Sequence, residues 1–129
     1  MLFRSYQERM EIGDSGWIEF QYCRMRAGSS LRRITSIRKI DFRKDDSLYV
    51  SDDDLDLFFT DYSSIFIDGA YSSRKRGAVD LFGIINYYSP DQIDAIIERI
   101  TVSNPVEGEV LTAWLRKAKE TNGFYILGI

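Results

Sequence analysis

The chain contains no histidine, a single cysteine and only two prolines among its 129 residues. The absence of histidine removes the commonest general base and metal ligand of proteins near neutral pH. It also excludes the Ser-His-Asp and Cys-His systems of nucleophilic catalysis. The lone Cys23 excludes a disulfide framework and a zinc site built from several thiolates. We therefore expect a protein that is not an enzyme and that binds no cofactor or metal.

Long apolar runs are also missing from the sequence. No stretch approaches the roughly 20 apolar residues that a membrane-spanning helix requires, and the opening "MLFRSYQERM" lacks the apolar segment of a secretory signal. Neither of the two common glycine-rich phosphate-binding patterns occurs. These absences predict a soluble, cytoplasmic protein with no membrane partner.

The composition predicts a single domain spanning residues 1–129. Hydrophobic residues make up 44% of the chain and aromatic residues 14%, which is enough apolar surface to form a core and to exclude disorder. No internal repeat, linker or low-complexity tract interrupts the sequence.

Five segments have the alternation or apolar content of β-strands. The predicted strands are Gly16–Met25, Leu31–Phe42, Ser63–Tyr71, Gly77–Tyr88 and Phe124–Ile129. The short turn "AGSS" between the first two predicts an antiparallel hairpin. The fourth is apolar on both faces, which indicates a central position in the sheet.

Three segments predict helices. The first follows Ser51, a suitable N-cap with Asp54 three residues later. The second begins at "SPDQ", where Ser89 is the N-cap and Pro90 takes the first helical position. The third begins near Asn104-Pro105 and ends at Asn122-Gly123. The residues predicted to face inward are Leu55, Phe58, Phe59 and Tyr62 in the first helix, Ile93, Ile96, Ile97 and Ile100 in the second, and Val106, Val110, Leu111, Trp114, Leu115 and Ala118 in the third.

The resulting element order is β-β-α-β-β-α-α-β. Because strands and helices do not alternate regularly, a doubly wound parallel sheet is not expected. The order instead predicts an α+β domain with a mostly antiparallel sheet covered by about three helices.

Charge is distributed unevenly along the chain, although the net charge is only −3. Residues 1–44 carry ten Lys/Arg and five Asp/Glu, whereas residues 45–70 carry eight aspartates and no base. A basic loop, "SSRKRG" at Ser72–Gly77, is too short to indicate nucleic-acid binding in a chain with a pI of about 5.0. We therefore expect no direct contact with nucleic acid.

The aspartate-rich segment has two interpretations besides a solvated, well-capped helix start. Asp52, Asp54 and Asp56 match the first spacings of a calcium loop, but Leu57 and Ser63 stand where that loop requires glycine and glutamate. The remaining interpretation is a surface that attracts a basic partner, since unneutralised like charge costs stability through self-repulsion and its retention indicates a use. The candidate partner-binding residues are Asp45, Asp46, Asp52, Asp53, Asp56 and Asp61.

The C-terminal part of the chain resembles a known group of proteins. The segments "LFGIINYYSPDQIDAIIERI" and "LTAWLRKAKETNGFYILGI", within Leu81–Ile129, together with the small size, acidity and lack of histidine, resemble the immunity proteins of bacterial toxin systems, including those of contact-dependent growth inhibition. This resemblance implies a cytosolic protein that binds one cognate toxin domain, often a nuclease, and blocks it. Because the folds of these proteins are diverse, the resemblance assigns no binding residues.

The leading hypothesis is therefore a non-enzymatic immunity protein that neutralises a basic toxin. The alternative is a structural or adaptor domain of a bacterial assembly that uses an apolar patch rather than charge. An enzyme with chemistry based only on carboxylates is a third class, because carboxylates can pair in space without any sequence motif.

Overall fold

The computed structural model describes residues 1–13 and 16–128, and its centre is an antiparallel sheet. The strands are β1 (Trp17–Tyr22), β2 (Leu48–Ser51), β3 (Gly69–Ala70), β4 (Arg76–Gly77), β5 (Ile85–Tyr88) and β6 (Phe124–Leu127). They lie in the order β2-β1-β6-β5-β3-β4, and every pairing is antiparallel. β6 therefore lies between strands from the two halves of the chain.

Five α-helices accompany the sheet in the described part of the chain. They are α1 (Tyr6–Ile12), α2 (Leu31–Ile34), α3 (Leu55–Tyr62), α4 (Pro90–Ser103) and α5 (Gly108–Ala118). Short 3-10 turns occupy Ile37–Lys39 and Asp52–Asp54. Within residues 1–13 and 16–128, no helix has the length and apolar character needed to cross a bilayer.

The larger core lies between one face of the sheet and helices α3, α4 and α5. Phe20 of β1 and Phe124 of β6 stack with ring centroids 6.4 Å apart, and Phe124 also stacks on Tyr88 at 5.0 Å. Apolar side chains of the helices, including Ile96 and Leu111, complete the same cluster. The α+β prediction, with a mostly antiparallel sheet covered by about three helices, is confirmed.

The opposite face of the sheet is covered by residues 24–44 rather than by a long helix. Ile34 and Ile40 pack with Tyr87, Tyr125 and Cys23 in a second, smaller buried cluster. The Tyr125 hydroxyl donates a hydrogen bond to the Ile34 carbonyl at 2.6 Å, which fixes the segment on the sheet. The sheet is thus buried on both faces.

The predicted strand at Leu31–Phe42 is wrong, and so is its hairpin with β1. Leu31, Ile34, Ile37 and Ile40 recur every three residues, which is the period of a 3-10 or α-helical turn and not the period of two that a strand requires. The Ser30 hydroxyl accepts a hydrogen bond from the Arg33 amide at 3.2 Å and caps α2. β1 pairs instead with β2 and β6.

The predicted strands at Ser63–Tyr71 and Gly77–Tyr88 are each shortened. Only Gly69–Ala70 and Ile85–Tyr88 are extended in sheet pairing, together with the short β4. The Asp80 carboxylate accepts hydrogen bonds from the amides of Phe82 and Gly83, at 3.0 and 2.8 Å, and so folds the chain into a turn before β5. β5 does lie inside the sheet, between β6 and β3.

The C-terminal half agrees with the sequence predictions more closely. The Ser89 amide donates to the Gln92 side chain at 2.9 Å at the start of α4, and residues 124–127 form the predicted buried strand, with Ile129 outside the described residues. Phe59, Val106 and Val110, predicted to face inward, are exposed instead. Helix α1 was not predicted, although Ser5 and Glu8 form a complete capping box at its start.

Because β6 lies at the centre of the sheet, we expect its buried Phe124 to contribute strongly to the stability of the fold. We expect Phe124→Ala to lower the free energy of unfolding by about 3–5 kcal/mol, because a fully buried ring is lost between Phe20 and Tyr88. The matched control Phe82→Ala removes a ring that is 79% exposed, so its effect should stay within about 0.5 kcal/mol. Equilibrium unfolding in urea measures both, and equal effects would contradict this description of the core.

Candidate partner-binding surface

The six aspartates predicted to bind a partner are distributed along an edge of the molecule and do not form one cluster. Asp45 and Asp46 precede β2, whereas Asp52 and Asp53 follow it. The four residues of β2 span about 13 Å, so these two pairs lie at opposite ends of the strand. Asp56 lies in the first turn of α3 and Asp61 in its last turn.

Three of these aspartates make internal contacts that stabilise the fold. Asp46 forms an ion pair with Arg24, and its backbone carbonyl accepts a hydrogen bond from the Trp114 indole at 2.9 Å. The Asp52 carboxylate accepts from the Gly16 amide at 3.2 Å, just before β1. The Asp61 carboxylate accepts from the Val106 amide at 2.8 Å, ahead of α5.

The Asp61 contact belongs to a junction between α3 and α5. Next to it, the buried Tyr62 hydroxyl donates to the Val106 carbonyl at 2.7 Å. Burial raises the pKa of the Tyr62 phenol, and the nearby carboxylates of Asp61 and Glu107 raise it further, so the hydroxyl keeps the proton that it donates. Both backbone groups of Val106 are therefore held by consecutive residues of α3.

The other three aspartates, Asp45, Asp53 and Asp56, are exposed. Their carboxylates form no ion pair with any residue that the structure describes. On α3, the exposed Leu57 and Phe59 lie beside Asp56, with 45% and 52% of their surface accessible. The solvent side of α3 therefore combines the free carboxylate of Asp56 with apolar side chains.

The start of α3 differs slightly from the predicted capping box. The Ser51 hydroxyl accepts a hydrogen bond from the Asp53 amide at 3.2 Å, but Asp52–Asp54 form a 3-10 turn and Asp54 returns no bond to Ser51. Ser51 is buried and caps the turn, whereas the outward carboxylates diverge. Across residues 1–13 and 16–128, no three carboxylate or cysteine side chains converge in a way that could hold a metal ion.

A buried carboxylate that sequence reasoning missed, Glu19, positions the turn that carries Asp45 and Asp46. It lies in β1 with 5% of its surface accessible, and it accepts hydrogen bonds from the amides of Arg43 and Lys44 at 2.8 and 2.9 Å. The Ser47 hydroxyl donates to it at 2.7 Å. A single glutamate in an alternating strand carries no sequence signal for such a role, because alternation alone predicts that it faces solvent.

No protein-family model matches the chain, and no curated protein or solved structure is significantly similar to it. The geometry of the described residues is therefore the basis for assigning a function.

Stability measurements can distinguish the aspartates that make contacts within the protein from those that do not. We expect Asp61→Ala to lower the free energy of unfolding by about 0.5–1.5 kcal/mol, because the hydrogen bond to the Val106 amide is lost at an exposed position where water can take the place of the carboxylate. Asp45→Ala removes an exposed carboxylate without such a contact and should change stability by less than about 0.5 kcal/mol. Urea unfolding of both variants makes the comparison, and an Asp61 variant as stable as the Asp45 variant would contradict the junction.

Proposed function

We propose that this protein is a non-enzymatic immunity protein, which binds a basic toxin domain and neutralises it. The observation that carries the proposal is the solvent side of α3 and of the turn before it, where the free carboxylates of Asp53 and Asp56 accompany exposed Leu57 and Phe59. Protein interfaces commonly place an aromatic residue at the centre and polar groups at the rim. The turn Asp52–Asp54 and α3 together offer both kinds of contact.

Electrostatics support a basic partner for this surface. Residues 52–68 contain six aspartates and no base, and the only ion pair found for them within the described chain joins Asp68 to Arg76. Carboxylates at the rim of an interface attract a cationic surface and accelerate encounter more than they tighten the final complex. A nuclease presents such a cationic surface to the phosphates of its substrate, and the acidic residues of this protein would cover that surface.

The resemblance of Leu81–Ile129 to immunity proteins of bacterial toxin systems supports the same proposal from the sequence side. In the structure this segment supplies β5, α4, α5 and β6, which are core elements. The segment therefore provides the scaffold, and the contact surface that we propose lies outside it, on α3 and the turns around β2.

A second candidate function, an adaptor domain of a bacterial assembly, has one observation in its favour. Phe82 is 79% exposed and Ile84 is 49% exposed beside the turn that Asp80 holds. Asn86, which is fully buried, fixes this turn by donating to the Asp80 carbonyl at 3.0 Å and accepting from its amide at 2.8 Å. A rigidly held, exposed aromatic ring suits apolar docking without charge.

The toxin proposal predicts a charge-dependent association rate. The triple variant Asp45→Asn, Asp53→Asn, Asp56→Asn should fold normally, because none of the three side chains makes an internal ion pair in the described chain. Its association with the cognate toxin domain should slow several-fold at low salt, by roughly one order of magnitude at most. Stopped-flow kinetics across a salt series should also show a flatter salt dependence for the variant.

The matched control removes the same charge from other surfaces through Glu11→Gln, Glu98→Gln and Glu120→Gln, all of which are exposed. This control should associate nearly as fast as the wild-type protein. Equal slowing of both variants would leave only a net-charge effect and would contradict a localised acidic interface. If the wild-type chain bound no toxin domain encoded by a neighbouring gene and protected no cells that express one, the proposed function would be wrong.

The two candidate functions differ in which exposed ring contacts the partner. For the toxin complex, we expect Phe59→Ala to raise the dissociation rate by about tenfold or more, since central aromatic residues dominate interface energies. Phe82→Ala should leave that rate unchanged. Surface-binding kinetics distinguish the two variants, and the reverse pattern would favour the adaptor function.

A further inference from the structure

A second charged surface lies on the opposite side of the sheet from α3. The segment 24–44 contains eight Lys/Arg and a single Asp. Its apolar residues Ile34 and Ile40 are buried against the sheet, so the cationic side chains point outward. We name residues 24–44 the basic layer.

The cations of the basic layer are largely free. Arg24 pairs with Asp46 and Lys44 with Asp41, both at the surface, where such pairs contribute little and are easily exchanged. The remaining six make no ion pair with any residue in the described ranges. These are Arg26, Arg32, Arg33, Arg38, Lys39 and Arg43, and all six are exposed.

Two adjoining depressions give the basic layer a concave shape. One, of about 690 Å³, is lined by Arg26, Arg33 and the hydroxyl-bearing Ser29 and Ser30. The other, of about 220 Å³, is lined by Arg24, Lys39 and Lys44, and also by Asp41, which pairs with Lys44. Met25 lines both depressions, so they are neighbours on the layer.

The layer is held rigidly in place. The Tyr125 hydroxyl donates to the Ile34 carbonyl at 2.6 Å, the Gln21 side chain donates to the Asp41 carbonyl at 2.8 Å, and the Asn122 side chain donates to the Arg26 carbonyl at 3.3 Å. Strands β1 and β6 and the turn just before β6 thus fix the backbone from which the cations project. A surface that is ordered before binding loses little conformational entropy on contact.

The acidity of the whole chain does not cancel this local field. The carboxylates of α3 lie beyond the sheet, two packed layers away, which is on the order of 20 Å at about 10 Å per layer. At physiological ionic strength the screening length is about 8 Å, so the carboxylates of α3 do not cancel the charge of the basic layer. The acids nearest to the layer are Asp45 and Asp46, which follow it in the chain, and Asp46 pairs with Arg24. The low pI, from which the sequence predicts no nucleic-acid binding, is an average over the whole chain and does not describe the local charge of residues 24–44.

We propose that the basic layer binds the sugar-phosphate backbone of a single-stranded nucleic acid. Five of the six free cations are arginines, whose planar guanidinium groups bind phosphate in a bidentate manner. The Ser30 hydroxyl accepts a hydrogen bond from the Arg33 amide, so its own proton remains available for a phosphate oxygen, whereas the Ser29 hydroxyl already donates to the Arg26 carbonyl. Phe42, which is 46% exposed next to Arg43, offers a face on which an unpaired base can stack. This combination favours a phosphate backbone with accessible bases over an acidic peptide.

The proposal is tested by fluorescence anisotropy with a labelled oligothymidylate of about 20 nucleotides, at about 50 mM salt and above. The wild-type chain should bind, and the logarithm of its association constant should fall by about 0.7 per phosphate contact for each tenfold rise in salt. The variant Arg32→Gln, Arg33→Gln, Arg38→Gln, Lys39→Gln should bind at least about tenfold more weakly and with a slope flatter by up to about 2.8. None of these four side chains bonds to another described residue, and circular dichroism verifies the fold.

A matched control distinguishes the effect of removing charge from the basic layer from the effect of changing the net charge of the protein. Arg74→Gln, Lys75→Gln, Arg116→Gln and Lys117→Gln also remove four exposed cations, so both quadruple variants change the net charge from −3 to −7. The control should retain most of the wild-type affinity. The proposal is overturned if the wild-type chain does not bind, if both variants weaken equally, or if poly-glutamate of similar length competes as well as the oligonucleotide. The last result would identify an acidic protein as the partner. None of these outcomes depends on toxin binding through α3.

Discussion

The pairing of β6 with both β1 and β5 is the interaction on which the rest of the structure depends. In the order β2-β1-β6-β5-β3-β4, this strand alone joins the sheet residues before position 52 to those between positions 69 and 88. Its side chains serve both faces, because Phe124 and Ile126 enter the larger core while Tyr125 and Leu127 enter the smaller one. The helices on one side and the basic layer on the other are therefore positioned by the same four residues.

A sheet buried on both faces has a consequence for the distribution of charge. Each face needs its own cover, and in this chain the two covers come from sequence segments of opposite composition. The helical cover includes α3 and the Asp52–Asp54 turn before it, whereas the other cover is the arginine-rich segment 24–44. A protein of small net charge thereby presents surfaces of opposite charge on the two sides of its sheet.

The sequence predicted the elements whose signals are local, and it failed where the signal was ambiguous or tertiary. Ser89 and Gln92 identify the start of α4, and the apolar residues 124–127 identify a buried strand. Leu31–Phe42 was misassigned because β-branched side chains favour strands, although their spacing of three does not. The strand Gly77–Tyr88 was overextended because the turn at Asp80 depends on contacts made by its side chain.

The candidate site was predictable only as a composition. The sequence identifies six aspartates but does not show which of them make internal contacts. Asp52 and Asp61 accept hydrogen bonds from the amides of Gly16 and Val106, and these amides come close to them only in the folded chain. Glu19 was missed for the same reason, since its partners lie more than twenty residues away.

The position of β6 in the chain also has a consequence for biosynthesis. Residues 17–51 and residues 69–88 emerge from the ribosome well before the strand that joins them, and their open edges must wait until residues 124–127 have been synthesised. Contacts between positions so distant in sequence close late and slow folding. Until then the nascent chain exposes two incomplete half-sheets with unpaired edges, which are the surfaces that chaperones protect from aggregation.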